Sequence, residues 1–334
     1  MEPIRILQVV TIMNRGGLET MLMNYYRKLD RSRIQFDFMT NRIERGHYDD
    51  EIEALGGKIY RLSHIKPGNY NKYFNELDQF FKEHKKYKVV HSHINENSGF
   101  VLKAAKKAGV PCRIAHSHLS DLKLDYKYPF RIYARRNLKG NVSDYFACSK
   151  RAGEWLFGKN ISNSGKVTVL NNAVDTEKFK INEDIRHNMR EELGIEGKKV
   201  IGHVGRFNPQ KNHEFLIDIF NEVYKRDKNT VLLLVGDGYL KEKIEDKVKK
   251  LGLEDVVKFL GIREDIPKLM QAMDLFLFPS QFEGLAVVMV EAQAAGLNVI
   301  TSTGVTKESD ITNNVEFIDL NESPQYWADI VLSN

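Results

Sequence analysis

Asp274 to Ala295 reads DLFLFPSQFEGLAVVMVEAQAA, and the fold turns on this stretch. Leu275 to Phe278 is a short apolar run, the signature of a strand buried on both faces. Pro279 and Ser280 stop it. Glu283 and Gly284 then open a run of helix formers. The pattern predicts a helix from Ala286 to Ala295, closed by Gly296. A strand, a loop and a helix in this order form the ligand-binding edge of an open α/β sheet.

Seven residues separate Glu283 from Glu291. Glu283 falls in the loop. Glu291 falls inside a helix whose neighbours, Leu285, Val287, Val288, Met289 and Val290, are apolar. A helix N-terminus carries about half a positive charge and suits a phosphate. A ligand with phosphate between two hydroxyl-rich groups fits: each carboxylate would accept from hydroxyls at one end. A nucleotide sugar has that form. The spacing alone leaves a second reading open, in which Glu283 is a first-turn acid and Glu291 a solvated face residue.

The 334 residues suffice for two domains, and 42% hydrophobic with 28% charged content is ordinary for a globular chain. The first thirty residues lack a signal-type apolar segment, and no run reaches membrane-spanning length. Cys112 and Cys148 make no metal or disulfide pattern, which fits a reducing, cytoplasmic setting. The net charge of +5 hides an asymmetry. Residues 1–180 hold 32 Lys+Arg against 19 Asp+Glu; the remainder holds 18 against 26. The basic half suits an anionic partner such as a membrane surface or phosphorylated acceptor, or simply carries solvated lysines. No nucleic-acid-binding module is legible.

Strand and helix patterns alternate from Ile4 to Leu170 and begin again at Val200. This predicts parallel, doubly wound sheets. Gly16 and Gly17 follow the first strand, where backbone N–H groups can approach a ligand, although a tight turn explains the pair as well. The third glycine of a dinucleotide fingerprint is missing, and no P-loop is present. In the second half, Val200 to Val204 leads into GRFNPQKN, with Arg206 and Lys211 around a turn. An arginine fork and a lysine point charge there could clamp a pyrophosphate. Gly236-Asp237-Gly238 ends another strand, and its glycines are expected to let a helix start close to the sheet.

LFLFPS followed by EGLAVVMVEA, together with the loop around Arg206 and Lys211, resembles the nucleotide-sugar site of the retaining glycosyltransferases of family four. That resemblance covers nearly the whole chain. It implies the GT-B fold: two Rossmann-like, doubly wound parallel-sheet α/β domains facing across a cleft. It places an acceptor-binding domain at 1–176 and a nucleotide-sugar domain at 177–334. It implies that Glu283 faces the donor sugar and Glu291 the ribose, with Gly284, Leu285 and Ala286 between them. Gly205, Arg206 and Lys211 take the diphosphate, Gly16 and Gly17 border it, and Arg263 neighbours the base. Catalytic roles fall to His118, Arg206, Lys211 and Glu283. The family's last helix crosses back to the first domain. Here the final helical stretch, Pro324 to Leu332, is short, so a truncated C-terminus stays open.

Two HSH triplets end two strands, at His91 to His93 and His116 to His118. Residues two apart on a strand share a face. Three readings compete: a four-histidine zinc site, polar strand ends bonded to loops, or a cleft histidine that touches the transferred sugar. The resemblance favours the third and places it at His118, with His116 as competitor. Residues 119–140 interleave basic and aromatic side chains, including Lys123, Tyr126, Lys127, Arg131, Tyr133, Arg135 and Arg136. They read as a membrane-surface helix or as a helix whose aromatics join the core.

The expected activity is retaining transfer from a nucleotide diphosphate sugar, a UDP-sugar by resemblance, to a glycan or lipid-linked acceptor in bacterial surface polysaccharide synthesis. No Asp-x-Asp metal motif is visible, so no metal or other cofactor is expected. The enzyme would be cytoplasmic, or peripheral on the inner face of the membrane. A nucleotide-sugar epimerase of the same architecture and a histidine-rich metal hydrolase are the alternatives.

Overall fold

The computed structural model describes residues 2–119, 128–170 and 174–334. The chain divides into two compact units, Met1–Asn172 and Ala173–Asn334. Each is a twisted parallel sheet covered by helices.

The first unit contains β1 (Ile4–Val10), β2 (Ile34–Thr40), β3 (Ile59–Arg61), β4 (Val89–Ser92), β5 (Cys112–Ser117), β6 (Asp144–Ala147) and β7 (Val167–Val169). Their order across the sheet is β3-β2-β1-β4-β5-β6-β7. The second unit contains β8 (Lys199–Val204), β9 (Thr230–Val235), β10 (Val257–Gly261), β11 (Leu275–Phe278), β12 (Asn298–Ser302) and β13 (Val315–Ile318). Their order is β10-β9-β8-β11-β12-β13. The winding direction reverses between β1 and β4 in one unit and between β8 and β11 in the other. Crevices outside the carboxyl ends of such strands are where these sheets bind ligands.

Burial explains the central strands. Every residue of β9 and β11 is buried, as the unbroken apolar runs TVLLLV and LFLF require. Each Leu or Phe removed from water there contributes about 1.5–3 kcal/mol. The edge strands β3 and β13 escape the sequence reading. Val315 to Ile318 reads VEFI, with exposed Glu316 interrupting the apolar pattern, so its strand depends on pairing with β12. The helix Val287–Ala294 lies inside the expected span, and Gly296 follows in a left-handed conformation at φ +76°.

Two local features go beyond the sequence reading. Gly236 and Gly238, at φ +137° and +158°, lie in the loop between β9 and the helix Lys241–Lys250. A Cβ on Gly236 would meet the Gly205 carbonyl oxygen at 2.2 Å, and one on Gly238 would meet that of Phe207 at 2.4 Å. These glycines let the β9 loop lie against the β8 loop. Further, β5 runs on to Ser117, so His116 is part of the strand and is fully buried.

The basic segment is described only from residue 128. Lys123, Tyr126 and Lys127 lie outside the described residues. The helix Tyr128–Arg136 packs Phe130 against Phe100 and stacks it on Tyr70, with ring centres 5.8 and 5.6 Å apart. One of its aromatics therefore joins the core, while Tyr133 stays exposed. The final helix, Pro324–Ser333, buries Trp327, Ala328 and Val331, with Trp327 edge-on to Phe215 of the same unit.

Candidate active site

The loops after β8 and β11 meet at the reversal point of the second sheet. Asn208 shapes the first loop: its Oδ1 accepts from the Lys211 main-chain N–H at 3.1 Å. Pro209 opens a short 3₁₀ turn, and Asn212 takes a left-handed conformation at φ +57° before the helix His213–Arg226. Gln210 ties the two loops together. Its carbonyl accepts from Gln281 N–H at 2.8 Å, and its amide donates to the Phe282 carbonyl at 3.0 Å.

This geometry delivers Lys211 to Glu283. Lys211 Nζ donates to Glu283 Oε1 at 2.7 Å and lies 4.5 Å from the centre of the Phe278 ring. Glu283 is only 9% exposed. Its main chain bridges to Val305 on the β12 side. Below it, Ser302 Oγ donates to the Ser280 carbonyl, and Thr301 Oγ1 donates to that of Phe278 at 2.8 Å. Gly304 touches the same loop: a Cβ there would lie 2.1 Å from the Gln281 carbonyl oxygen. Gly284, Leu285 and Ala286 span the short gap between Glu283 and the helix at Val287, with Leu285 and Ala286 buried.

Arg206 sits one residue past Gly205, exposed, with no side-chain partner among the described residues. Gly205 leaves room for its neighbours: a Cβ there would be 2.9 Å from His203 Nε2 and 3.3 Å from the Lys211 stem. His203 donates through Nδ1 to the Leu277 carbonyl at 2.9 Å, and burial lowers its pKa to about 3. His213 stacks on Phe207 and is likewise lowered to about 2 by burial. Both imidazoles are therefore neutral beside the Lys211 charge.

Glu291 is half-buried on its helix, and its carboxyl has no hydrogen bond or ion pair among the described residues. Burial pushes its pKa up to about 7. A desolvated carboxyl without a donor is costly, and a ligand hydroxyl would relieve it. Arg263 stands apart from this group. It follows the edge strand β10 and forks onto Asp265 at 2.8 and 2.6 Å, with Glu192 at 3.3 Å. The carboxylates raise its pKa further.

In the first unit, Gly16 and Gly17 lie at the reversal point after β1. Gly16 caps the helix Gly17–Lys28 with an extended backbone, its carbonyl accepting from Thr20 N–H at 2.8 Å. The ends of β4 and β5 assemble all four histidines of the two triplets. His91 Nε2 lies 3.1 Å from His116 Nδ1, and His93 Nδ1 lies 2.9 Å from His118 Nε2. His93 Nε2 lies 2.9 Å from Gln8 Oε1. Ring nitrogens of His91, His93 and His116 fall within 4.8 Å of one another, a spacing that a metal ion would need. The two close contacts are also ordinary hydrogen-bond lengths between neutral rings. Burial lowers the pKa of His91 and His118 to about 3, and that of His93 and His116 well below the usual range. His118 keeps some exposure, whereas His116 has none. The His118 main-chain N–H donates to Asn95 Oδ1 at 3.0 Å, and Asn95 itself is left-handed at φ +49°.

Lys211, Glu283 and the histidines stand out in the sequence as separate candidates, but the Lys211–Glu283 contact does not. Gln210, Gly304 and Gln8 were not legible, because their partners lie 72, 23 and 85 residues away in the chain. A polar Gln8 between apolar Leu7 and Val9 was the one available signal.

Both units match known proteins. Residues 15–178 match the family model described as Glycosyltransferase Family 4, and residues 185–330 match Glycosyl transferases group 1. The putative glycosyltransferase EpsF of Bacillus subtilis (strain 168) is 38% identical, over 98% of this chain and 86% of that protein. The capsular polysaccharide biosynthesis glycosyltransferase CapH of Staphylococcus aureus is 27% identical, over 98% of this chain and 90% of that protein. The crystal structure of Anabaena Alr3699/HepE in complex with UDP-glucose matches with a TM-score of 0.81 at 22% identity, over 98% of this chain and 89% of that one. That likeness carries the GT-B fold. The chain belongs to glycosyltransferase family 4 and is a glycosyltransferase.

Proposed function

We propose that this enzyme moves a sugar from a uridine diphosphate sugar to a glycan or lipid-linked acceptor, with retention and without a metal at the diphosphate, in bacterial surface polysaccharide synthesis. The observation that carries the reading is the Lys211–Glu283 contact of 2.7 Å, which brings a cation suited to phosphate and an acid suited to sugar hydroxyls together at the reversal point of one sheet. Glu291 supports it as a half-buried acceptor awaiting hydroxyl donors, those of the ribose. CapH, by its name, works in capsular polysaccharide biosynthesis, and HepE was crystallised with UDP-glucose.

In the proposed step, the bond between the anomeric carbon and the diphosphate oxygen breaks. The acceptor hydroxyl oxygen forms its bond on the same face, and its proton passes to the departing phosphate. Arg206, Lys211 and the helix start after Ala286 stabilise the charge left on the diphosphate. Glu283 orients the sugar, and His118 takes the sugar contact that the family resemblance implies. Gly16 and Gly17 border the donor phosphates, and residues 1–176 hold the acceptor. Arg263 keeps its place beside the base through the backbone of its loop, since its guanidinium is held by Asp265 and Glu192.

The test is a panel of nucleotide diphosphate sugars offered with lipid-linked and glycan acceptors, with and without EDTA, followed by NMR of the product anomer. Acceptor-dependent release of UDP, unchanged by EDTA and with the donor's anomeric configuration kept, is the expected result. Donor consumed with no acceptor, or activity lost to EDTA, would overturn it.

A further inference from the structure

Gln8 is a polar side chain in the middle of a buried strand, 2% exposed between Leu7 and Val9. A buried amide is costly unless its polar atoms are satisfied. Its Oε1 lies 2.9 Å from His93 Nε2. A carboxamide oxygen only accepts, so His93 carries its proton on Nε2. Burial among the other three imidazoles keeps that ring neutral, which leaves Nδ1 as a bare lone pair. His118 Nε2 lies 2.9 Å from that lone pair and must be the donor. His118 is also neutral, so its own lone pair is on Nδ1, which has no partner among the described residues.

We propose that Gln8 is a positioning residue: acting through His93, it locks His118 in the Nε2–H tautomer and presents Nδ1 as an acceptor for a hydroxyl of the transferred sugar. The sugar hydroxyl rests on the role given to His118 above, whereas the tautomer chain does not. Asn95 complements Gln8, since its Oδ1 fixes the His118 main chain while Gln8 and His93 fix the ring. The groups facing His93 are Gln8 from β1, His91 from its own strand, and His116 and His118 from β5 and its end. None of these carries a charge.

The experiment is ¹⁵N NMR of the full chain labelled at histidine, with His118 assigned through His118→Gln, alongside donor kinetics. His118 should be protonated on Nε2 in the unsubstituted protein. Gln8→Leu removes the acceptor, frees His93 to protonate Nδ1, and should invert the His118 signal. Its kcat should fall by about tenfold, the scale of one lost hydrogen bond, with donor KM little changed. Gln8→Glu keeps an acceptor oxygen and should restore the tautomer and the rate at high pH. At low pH its carboxylate favours a doubly protonated His93, so its rate should fall there while that of the unsubstituted enzyme does not. His118 protonated on Nδ1 from the start, or a Gln8→Leu variant with unchanged tautomer and rate, would overturn the proposal. Normal transfer by His118→Ala, with the tautomers as stated, would remove the sugar contact and leave the positioning chain standing.

Discussion

Lys211 Nζ is held between two groups from one short segment, 2.7 Å from Glu283 Oε1 and 4.5 Å from the centre of the Phe278 ring. The cation is therefore already oriented before any anion arrives. A preorganised charge stabilises a leaving group without reorganisation in the transition state. The same contact restrains Glu283, so in the proposed step one salt bridge would position a residue for each end of the bond to be broken.

Lys211→Ala should slow transfer by about 100-fold or more, as loss of a single charge-stabilising donor does. Lys211→Arg should recover only part, because the planar fork does not reproduce the point charge. Steady-state kinetics with a saturating acceptor reads this, and a near-normal rate for the alanine variant would remove Lys211 from the clamp.

Glu291 sets a pH dependence. Its folded pKa of about 7 lies above the ordinary 4.5, so the folded state holds the proton more tightly than the unfolded chain. Its own contribution to stability is then greatest at low pH and falls as pH rises from about 4.5 to 7, by about 3 kcal/mol in all. Glu291→Gln should flatten that fall, which thermal unfolding across the same pH window measures. Nucleotide affinity should move the opposite way, because ribose hydroxyls donate best to the ionised group. UDP binding should tighten as pH passes about 7 in the unsubstituted enzyme and weaken throughout in Glu291→Ala, as calorimetry would record.

Gly304→Ala should disturb the donor loop without touching a charged residue. Its Cβ would lie 2.1 Å from the Gln281 carbonyl, a backbone atom with no easy retreat. Overpacking of this kind costs about 1–3 kcal/mol. The expected result is a lower melting temperature and weaker donor binding together. Unchanged UDP affinity would show that the loop position does not matter.

The basic helix offers a test of membrane contact. Arg131 faces Glu96 at 3.9 Å, and Arg135 donates to the Leu156 carbonyl at 2.9 Å. Arg136 and Lys139 are exposed beside an apolar cavity of about 330 Å³ floored by Ile132, Leu138 and Leu156. Reversing both to Glu should weaken binding to vesicles of anionic lipid by about tenfold or more, at about 1 kcal/mol per basic residue near such a surface. Co-sedimentation decides it. Equal binding by the reversed variant would retire the membrane role of this helix.

Apolar patterning points to the two wound sheets, because runs such as those of β9 and β11 are dry along their whole length and are stable only between helices. It also locates the charged group: Arg206, Lys211 and Glu283 each stand just past such a run, where the chain must turn at the binding edge. Contacts across long separations lie beyond its reach. Folding of the sheets is what sets Gln8 beside His93, wedges Gly304 under Gln281, half-buries the Glu291 carboxyl with no partner among the described residues and occupies Arg263 with Asp265 and Glu192. The reason is physical. Periodicity records which face of an element is dry, whereas hydrogen-bond partners depend on which strand ends neighbour each other, and strand order follows from packing over the whole domain.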